Sequence, residues 1–124
     1  MEAGQALLVD STFELDDTFT LTLTLTLTLT PTPGHSPRHC CVNIQSKGQR
    51  AVVTGDMMHH ALQCREPEWS TIFDVDRAEA AQSRRTFLGR VADTDTLLLP
   101  IHFPSPTVGR VCGHGHGFDY KFVR

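Results

Sequence analysis

The stretch Thr32-Pro33-Gly34-His35-Ser36-Pro37-Arg38-His39 places a histidine just beyond a strand-like run of alternating leucine and threonine. Two later stretches repeat the arrangement: Asp56 follows the run 51–54, and His102 follows the run 97–101. Side chains at the ends of neighbouring strands can converge, and imidazole and carboxylate groups suit zinc and similar divalent ions. The sequence therefore predicts a metal site built from His35, Asp56 and His102.

Length and composition limit the classes of protein that this chain can represent. With 124 residues and 40% hydrophobic residues, it can form one domain at most, with a modest core. The net charge is −3 and there is no basic run, so no nucleic-acid groove is expected. No apolar stretch approaches the ~20 residues of a membrane span. We expect a protein without nucleic-acid or membrane partners.

The cysteines and the N-terminal residues indicate the cellular compartment in which the protein is expected. The four cysteines lack C-x-x-C spacing, and Cys40 and Cys41 are adjacent, which argues against a disulfide framework or a zinc knuckle. Cys41 and Cys112 are expected to pack as small apolar residues. The segment Met1-Glu2-Ala3-Gly4 lacks the basic start and apolar core of a secretory signal. A reducing, cytoplasmic location is predicted.

The hydrophobic pattern predicts several strands and one main helix, which gives an α/β or α+β fold with mostly antiparallel strands. The predicted strands are 6–9, 20–30, 41–45, 50–54, 97–99, 110–112 and 120–122. Turns are expected at Asp16-Asp17 and over 31–37. Asp76 is a predicted helix N-cap with Glu79 at N3. Arg84 lies on the apolar face of that helix, so it must either snorkel or meet a carboxylate.

Threonine and leucine alternate without a break from Thr20 to Thr30. Period two places every leucine on one face of a strand and every threonine on the other. Eleven extended residues would span about 36 Å at ~3.3 Å per residue, which exceeds a usual strand. One interpretation is expansion of a low-complexity repeat, and the alternative is a partner-binding β-edge. Either way, the repeat specifies strand register poorly and is an aggregation hazard if its edge is open.

The order T-P-G-H-S-P (32–37), G-D (55–56) and H-F-P (102–104) resembles the second half of a metallo-β-lactamase-fold hydrolase. The resemblance is strongest to the branch of lactonases and methyl-parathion-hydrolase-like enzymes, and it covers about residues 6–122. It implies half of an αβ/βα sandwich. The family's H-x-H-x-D-H motif does not occur in this sequence. We therefore expect residues 1–124 to form a single partial domain.

The resemblance also implies a chemistry. Relatives use two divalent metals to activate water against an ester, lactone or phosphotriester, and Asp56 matches the bridging catalytic carboxylate. His35 and His102 match ligands of different metals, so each ion would keep only two protein ligands here. Catalytic zinc normally has three protein ligands plus water. We expect weak binding of zinc and little hydrolysis of a small-molecule substrate by this chain alone.

The remaining histidines have less defined predicted roles. His39, His59 and His60 are candidates for contacts with substrate or for orienting a ligand, and the alternative is ordinary polar loop residues. His114 and His116 are two positions apart on a predicted strand of the closing hairpin. We expect them to lie away from Asp56.

Two hypotheses from different classes follow. The first is a metal-dependent hydrolase represented by its C-terminal half, which requires a complementing first-half chain for activity. The second is a non-catalytic remnant that interacts through its Leu/Thr strand, with itself or with another chain. A partner that supplies three further histidines would favour the first hypothesis.

Overall fold

The structure of the protein is a computed structural model that describes residues 14–17 and 25–123. The strand predicted at 6–9 and the first part of the Thr/Leu repeat lie outside the described residues. The strands are β1 (Glu14–Asp17), β2 (Leu25–Pro31), β3 (Cys40–Ser46), β4 (Gln49–Val53), β5 (Leu97–Leu99), β6 (Gly109–His114) and β7 (Gly117–Phe122). The helices are a 3-10 turn (Gly55–Met57), α1 (Leu62–Arg65) and α2 (Arg77–Val91).

In the part of the chain that is described, the strands form one seven-stranded sheet in the order β1 to β7. Every neighbouring pair is antiparallel except β4 and β5, which are parallel. A parallel pair needs a long crossover, and the segment that holds α1 and α2 provides it. The predicted α/β class, with mostly antiparallel strands and one main helix, is confirmed.

Helix α2 covers one face of the sheet. Asp76 caps it as predicted, because its Oδ1 accepts a 2.9 Å hydrogen bond from the Glu79 N–H. The buried core consists of Cys41, Val52, Met57, Met58, Cys64, Phe87, Leu88, Val91, Leu98, Phe103 and Val111. Burial raises the pKa of the Cys41 thiol to about 11 and that of Cys64 to about 12. All four cysteines are free in the structure.

The opposite face of the sheet is only partly covered. Strand register aligns two aliphatic rungs across β2 to β5: one joins Leu27, Ile44, Ala51 and Leu97, and the other joins Leu29, Val42, Val53 and Leu99. Each of these side chains is partly buried in the described part of the chain. The threonines of β2 point the other way, where Thr30 Oγ1 accepts a 2.7 Å hydrogen bond from Asn43 Nδ2. These aliphatic rungs are therefore a second apolar face of the sheet.

Strand direction brings three loops together at one edge. Strand β3 runs antiparallel to β2 and β4, and β5 runs parallel to β4, so β2, β4 and β5 all end at this edge. The loops that carry His35, Asp56 and His102 follow these strands directly.

Two predicted turns were wrong in detail. Asp16 and Asp17 belong to β1, where they pair with Thr26 and Leu25, and Pro31 closes β2 opposite Cys40. Pairing with a neighbouring strand overrides local turn preference at both places. Within residues 14–17 and 25–123, every helix is too short or too polar to cross a membrane.

Candidate metal centre

His35 and His102 contact different oxygens of the Asp56 carboxylate. His35 Nε2 lies 3.6 Å from Asp56 Oδ2, and His102 Nε2 donates a 2.6 Å hydrogen bond to Oδ1. The predicted convergence of these three residues is confirmed, although His102 and Asp56 are 46 positions apart. The hydrogen bond from His102, together with the nearby histidines, lowers the pKa of Asp56. Asp56 is therefore a carboxylate, and thus an anionic ligand, at neutral pH.

Asp74 orients the His35 ring. His35 Nδ1 lies 3.1 Å from Asp74 Oδ1, so in the neutral imidazole the proton sits on Nδ1 and is donated to this carboxylate. Nε2 then carries a lone pair and faces Asp56 Oδ2. Two acceptors that face each other at 3.6 Å leave a position that a cation can occupy.

The chain places Asp74 there through backbone contacts between two loops. The N–H of Asp76 donates to the carbonyl of Gly34 at 2.9 Å, and the N–H of Val75 donates to the carbonyl of His35 at 3.3 Å. Gly34 is required at this contact, because its φ is +127° and a Cβ would lie 2.1 Å from the Ala80 nitrogen. The T-P-G-H loop therefore packs directly against the first turn of α2.

Arg84 lies behind the site, as the resemblance implied, and it meets a carboxylate rather than snorkelling. Its guanidinium is fully buried and lies 3.7 Å from Asp74 Oδ2. Burial lowers the pKa of Arg84, and the charge of Asp74 opposes that shift. Of the two outcomes that the sequence left open for Arg84, the structure shows the contact with a carboxylate, which Asp74 supplies.

His39 anchors the backbone at Asp56. Its Nε2 accepts a 3.0 Å hydrogen bond from the Asp56 N–H, so in the neutral ring Nδ1 carries the proton and faces the Thr32 hydroxyl at 2.8 Å. Burial lowers the pKa of His39, which favours this neutral form. Gly55 allows the close approach, because its φ is +53° and a Cβ would lie 2.7 Å from His39 Nε2. His39 therefore helps to fix the position of Asp56 through a hydrogen bond to its backbone N–H.

His59 and His60 are adjacent, but their surroundings differ. The His59 ring stacks on His102 with centroids 4.5 Å apart and planes 11° apart, and it lies 5.4 Å from the His35 ring. His60 is exposed, and its Nδ1 accepts a hydrogen bond from the Leu62 N–H. The buried Gln63 fixes this turn, because its Oε1 accepts from the N–H groups of both histidines at 2.7 and 3.2 Å.

A group of three side chains in the described part of the chain could hold one metal ion. It consists of Asp56, His59 and His102, whose ligand atoms lie within 4.8 Å of one another. His114 instead faces Asp119 on the closing hairpin, with Nδ1 3.3 Å from Oδ2. His116 lies in the turn between β6 and β7, rather than on a strand as predicted.

Sequence comparison adds no relative: no protein-family model and no curated protein matches the chain. Solved structures do match. The hydrolase AbOPH of the β-lactamase superfamily aligns with a TM-score of 0.74 and 23% identity, covering 79% of this chain and 34% of its own length. AidC, a dizinc quorum-quenching lactonase solved with a homoserine product, aligns with a TM-score of 0.74 and 26% identity, covering 89% and 37%.

A third match is a probable metal-dependent hydrolase from Staphylococcus aureus, with a TM-score of 0.58, 18% identity and coverage of 90% and 38%. This chain has part of the metallo-β-lactamase fold. It spans only 34–38% of the length of these three structures. The expected fold and its partial extent are therefore both supported.

Proposed function

We propose that this chain is the C-terminal part of a metal-dependent hydrolase of the metallo-β-lactamase superfamily, acting on an ester, lactone or phosphotriester. The observation that carries the proposal is the approach of two histidines to the two oxygens of one carboxylate. His35 faces Asp56 Oδ2 and His102 faces Oδ1, at 3.6 and 2.6 Å. A carboxylate in this arrangement suits a bridge between two divalent cations.

The donor set fits zinc. Imidazole nitrogen and carboxylate oxygen are its usual ligands in catalytic sites, together with an open position for water. Bound zinc would lower the pKa of water and polarise the oxygen of the substrate. The side chains of Asp56 and His102 are 40% and 42% exposed, so the site is accessible to a small molecule.

The protein's own residues would position these ligands. Asp74 holds the proton of His35 on Nδ1 and thereby leaves Nε2 free to bind a metal. His39 holds the Asp56 backbone through its N–H group. Neither contact needs a bound ion, so the two ligands are oriented before the metal binds.

Three observations support a partial catalytic unit. The sequence lacks the H-x-H-x-D-H motif of the family, and the chain spans about a third of the matched structures. The aliphatic rungs are the kind of sheet face that a second layer covers in a sandwich. The missing layer would bring the remaining ligands and bury these rungs.

A complementation assay tests the function. The full 124-residue chain is assayed with zinc, alone and after co-expression with a first-half fragment of a metallo-β-lactamase-fold lactonase that carries H-x-H-x-D-H. Little hydrolysis of lactone or phosphotriester is expected from the chain alone. The co-expressed pair is expected to hydrolyse these substrates. Asp56→Ala should abolish this activity, whereas His116→Ala should retain it. Co-purification of the pair without turnover would contradict the proposal, and so would robust zinc-dependent turnover by the chain alone.

The aliphatic rungs favour a second candidate, a non-catalytic protein that associates through its sheet. Two copies that pack these faces together would bury apolar surface without any metal. Sedimentation of the purified chain, compared with Leu29→Lys, tests this candidate. Three results together would favour this candidate over the hydrolase. The chain would form a dimer that Leu29→Lys dissociates, it would bind no zinc, and it would give no turnover in the complementation assay.

A further inference from the structure

We infer that His59 is the third protein ligand of the metal position at Asp56 and His102, so that this chain holds one divalent ion with its own residues. The inference deepens the proposed function and rests on it for the class of metal. On this inference one ion would have three protein ligands from this chain, where the sequence led us to expect two. Asp56, His59 and His102 offer ligand atoms within 4.8 Å of one another.

The backbone directs His59 toward His102. Met58, the preceding residue, is extended and fully buried in the core, so His59 points away from the core. Gln63 Oε1 accepts the His59 N–H at 2.7 Å, and Gln63 is itself held by a 2.8 Å bond from Nε2 to the Trp69 carbonyl. The stacked His102 ring then limits the rotation of His59.

The position of the His59 ring also favours a role as ligand. Its centroid lies 4.5 Å from that of His102 and 5.4 Å from that of His35, so the ring lies beside both histidines of the candidate site. A histidine binds a metal through the lone pair of an imidazole nitrogen, and the ring of His59 belongs to this cluster of side chains.

The count of ligands then matches a known coordination. Asp56, His102 and His59 give three protein ligands, and catalytic zinc usually has three plus one open position. His35 faces the other oxygen, Oδ2, so it remains available for a second ion. The alternative is that His59 only orients His102 or a substrate by stacking, and the experiment below separates these roles.

Calorimetric titration of the full chain with zinc gives the first test. Wild type is expected to bind one ion at this position, and His59→Ala is expected to weaken affinity by more than about 100-fold, since outer-shell partners alone contribute about 10–100-fold. His60→Ala is the matched control, because His60 is exposed and bonds to Leu62 instead, and its affinity should equal that of wild type. Circular dichroism of each variant reports folding.

Cobalt substitution gives the second test, which a role in stacking would not satisfy. His59→Cys loaded with Co²⁺ should show a thiolate-to-cobalt charge-transfer band that is absent from His60→Cys and from the wild-type chain with its own cysteines. Equal zinc affinity for His59→Ala and His60→Ala would overturn the inference. A His59→Cys chain without the band would also overturn it, as would a folded wild type that binds no zinc. Failed complementation beside a normal zinc result would instead overturn only the hydrolase assignment.

Discussion

Two aspartates in this protein are each shared between a histidine and an arginine, one behind the metal centre and one on the closing hairpin. Asp74 meets His35 Nδ1 at 3.1 Å and Arg84 at 3.7 Å. Asp119 meets His114 Nδ1 at 3.3 Å and Arg65 through its other oxygen. The side chains of Asp74 and Arg84 are 2% and 0% exposed, whereas those of Asp119 and Arg65 are 33% and 49% exposed.

Burial, rather than the kind of residues involved, determines whether such an arrangement holds its side chains in place. In water an ion pair contributes little, because solvent screens it and the flexible side chains lose entropy. In the interior an unpaired charge is costly, so the pair fixes its members in place. The buried Asp74 therefore positions a candidate ligand, His35, whereas Asp119 makes solvent-exposed contacts on the hairpin.

The largest expected effect is on stability. Asp74→Asn removes the charge that faces the buried Arg84, and we expect a loss of about 3–5 kcal/mol in the free energy of unfolding. Asp119→Asn removes the corresponding charge on the hairpin, and we expect a change below about 1 kcal/mol. Urea denaturation, followed by circular dichroism without added metal, measures both.

The double variant Asp74→Asn with Arg84→Met checks the cause. If an unpaired buried charge produces the loss, removal of the arginine should restore part of the stability. Equal losses for Asp74→Asn and Asp119→Asn would show that burial does not distinguish the two arrangements.

The second effect concerns metal affinity. Asp56→Ala should weaken zinc binding by more than about 100-fold, because Asp56 is the side chain that contacts both His35 and His102. His114→Ala with His116→Ala should leave zinc affinity within about twofold of wild type, because these exposed side chains lack a converging third ligand. Equilibrium dialysis with zinc measures both variants. If the hairpin variant lost the bound zinc while Asp56→Ala kept it, the metal centre would be wrongly placed.

The comparison also separates what the sequence predicts from what it does not. His35, Asp56 and His102 could be found because each lies in a loop just after a strand-like run and belongs to a motif that resembles the metallo-β-lactamase fold. Strand direction then brings the three loops to one edge. The N-cap at Asp76 needs only the pattern of neighbouring residues.

Asp74 was missed because its contact with His35 spans 39 positions and lies in a loop without periodicity. The available signal was Arg84, a charge on the apolar face of α2 for which a carboxylate partner was one of two predicted outcomes. Gln63 was missed for a related reason. Its side chain bonds to the backbone groups of His59, His60 and Trp69, and backbone groups carry no sequence signal. Contacts between loops depend on how the loops pack, which no local pattern encodes.

The third effect separates close packing from backbone strain. Gly34 and Gly115 both have positive φ, +127° and +56°, so alanine strains the backbone at either position. A Cβ at Gly34 would also overlap the Ala80 backbone at 2.1 Å, whereas a Cβ at Gly115 meets nothing within 4 Å. Gly34→Ala should therefore cost about 2 kcal/mol more than Gly115→Ala. Thermal unfolding of the two variants measures the difference in stability. Equal losses of stability would mean that the loop around Gly34 can move away from α2 without a cost in free energy.

The smallest expected effect is a pH dependence that arises at the metal centre. Burial lowers the pKa of His39 from 6.5, the value of an unperturbed histidine. Between the folded pKa and 6.5 the unfolded chain binds more protons at His39, so the free energy of unfolding falls as the pH drops through this window. Protonation of Nε2 also removes the acceptor of the Asp56 N–H. The lowered pKa of Asp56 acts separately, because its stabilisation is lost only below its ordinary value of 3.8.

His39→Gln tests the origin of this slope, because an amide oxygen can accept the Asp56 N–H and does not titrate. With metal removed by chelation, denaturation midpoints are compared between about pH 7 and pH 5. The wild-type midpoint should fall over this range, and His39→Gln should flatten the slope in part, since His59 also has a lowered pKa. If His39→Gln kept the full wild-type slope, the buried histidine would not be the proton-linked group, and burial would not explain the pH dependence.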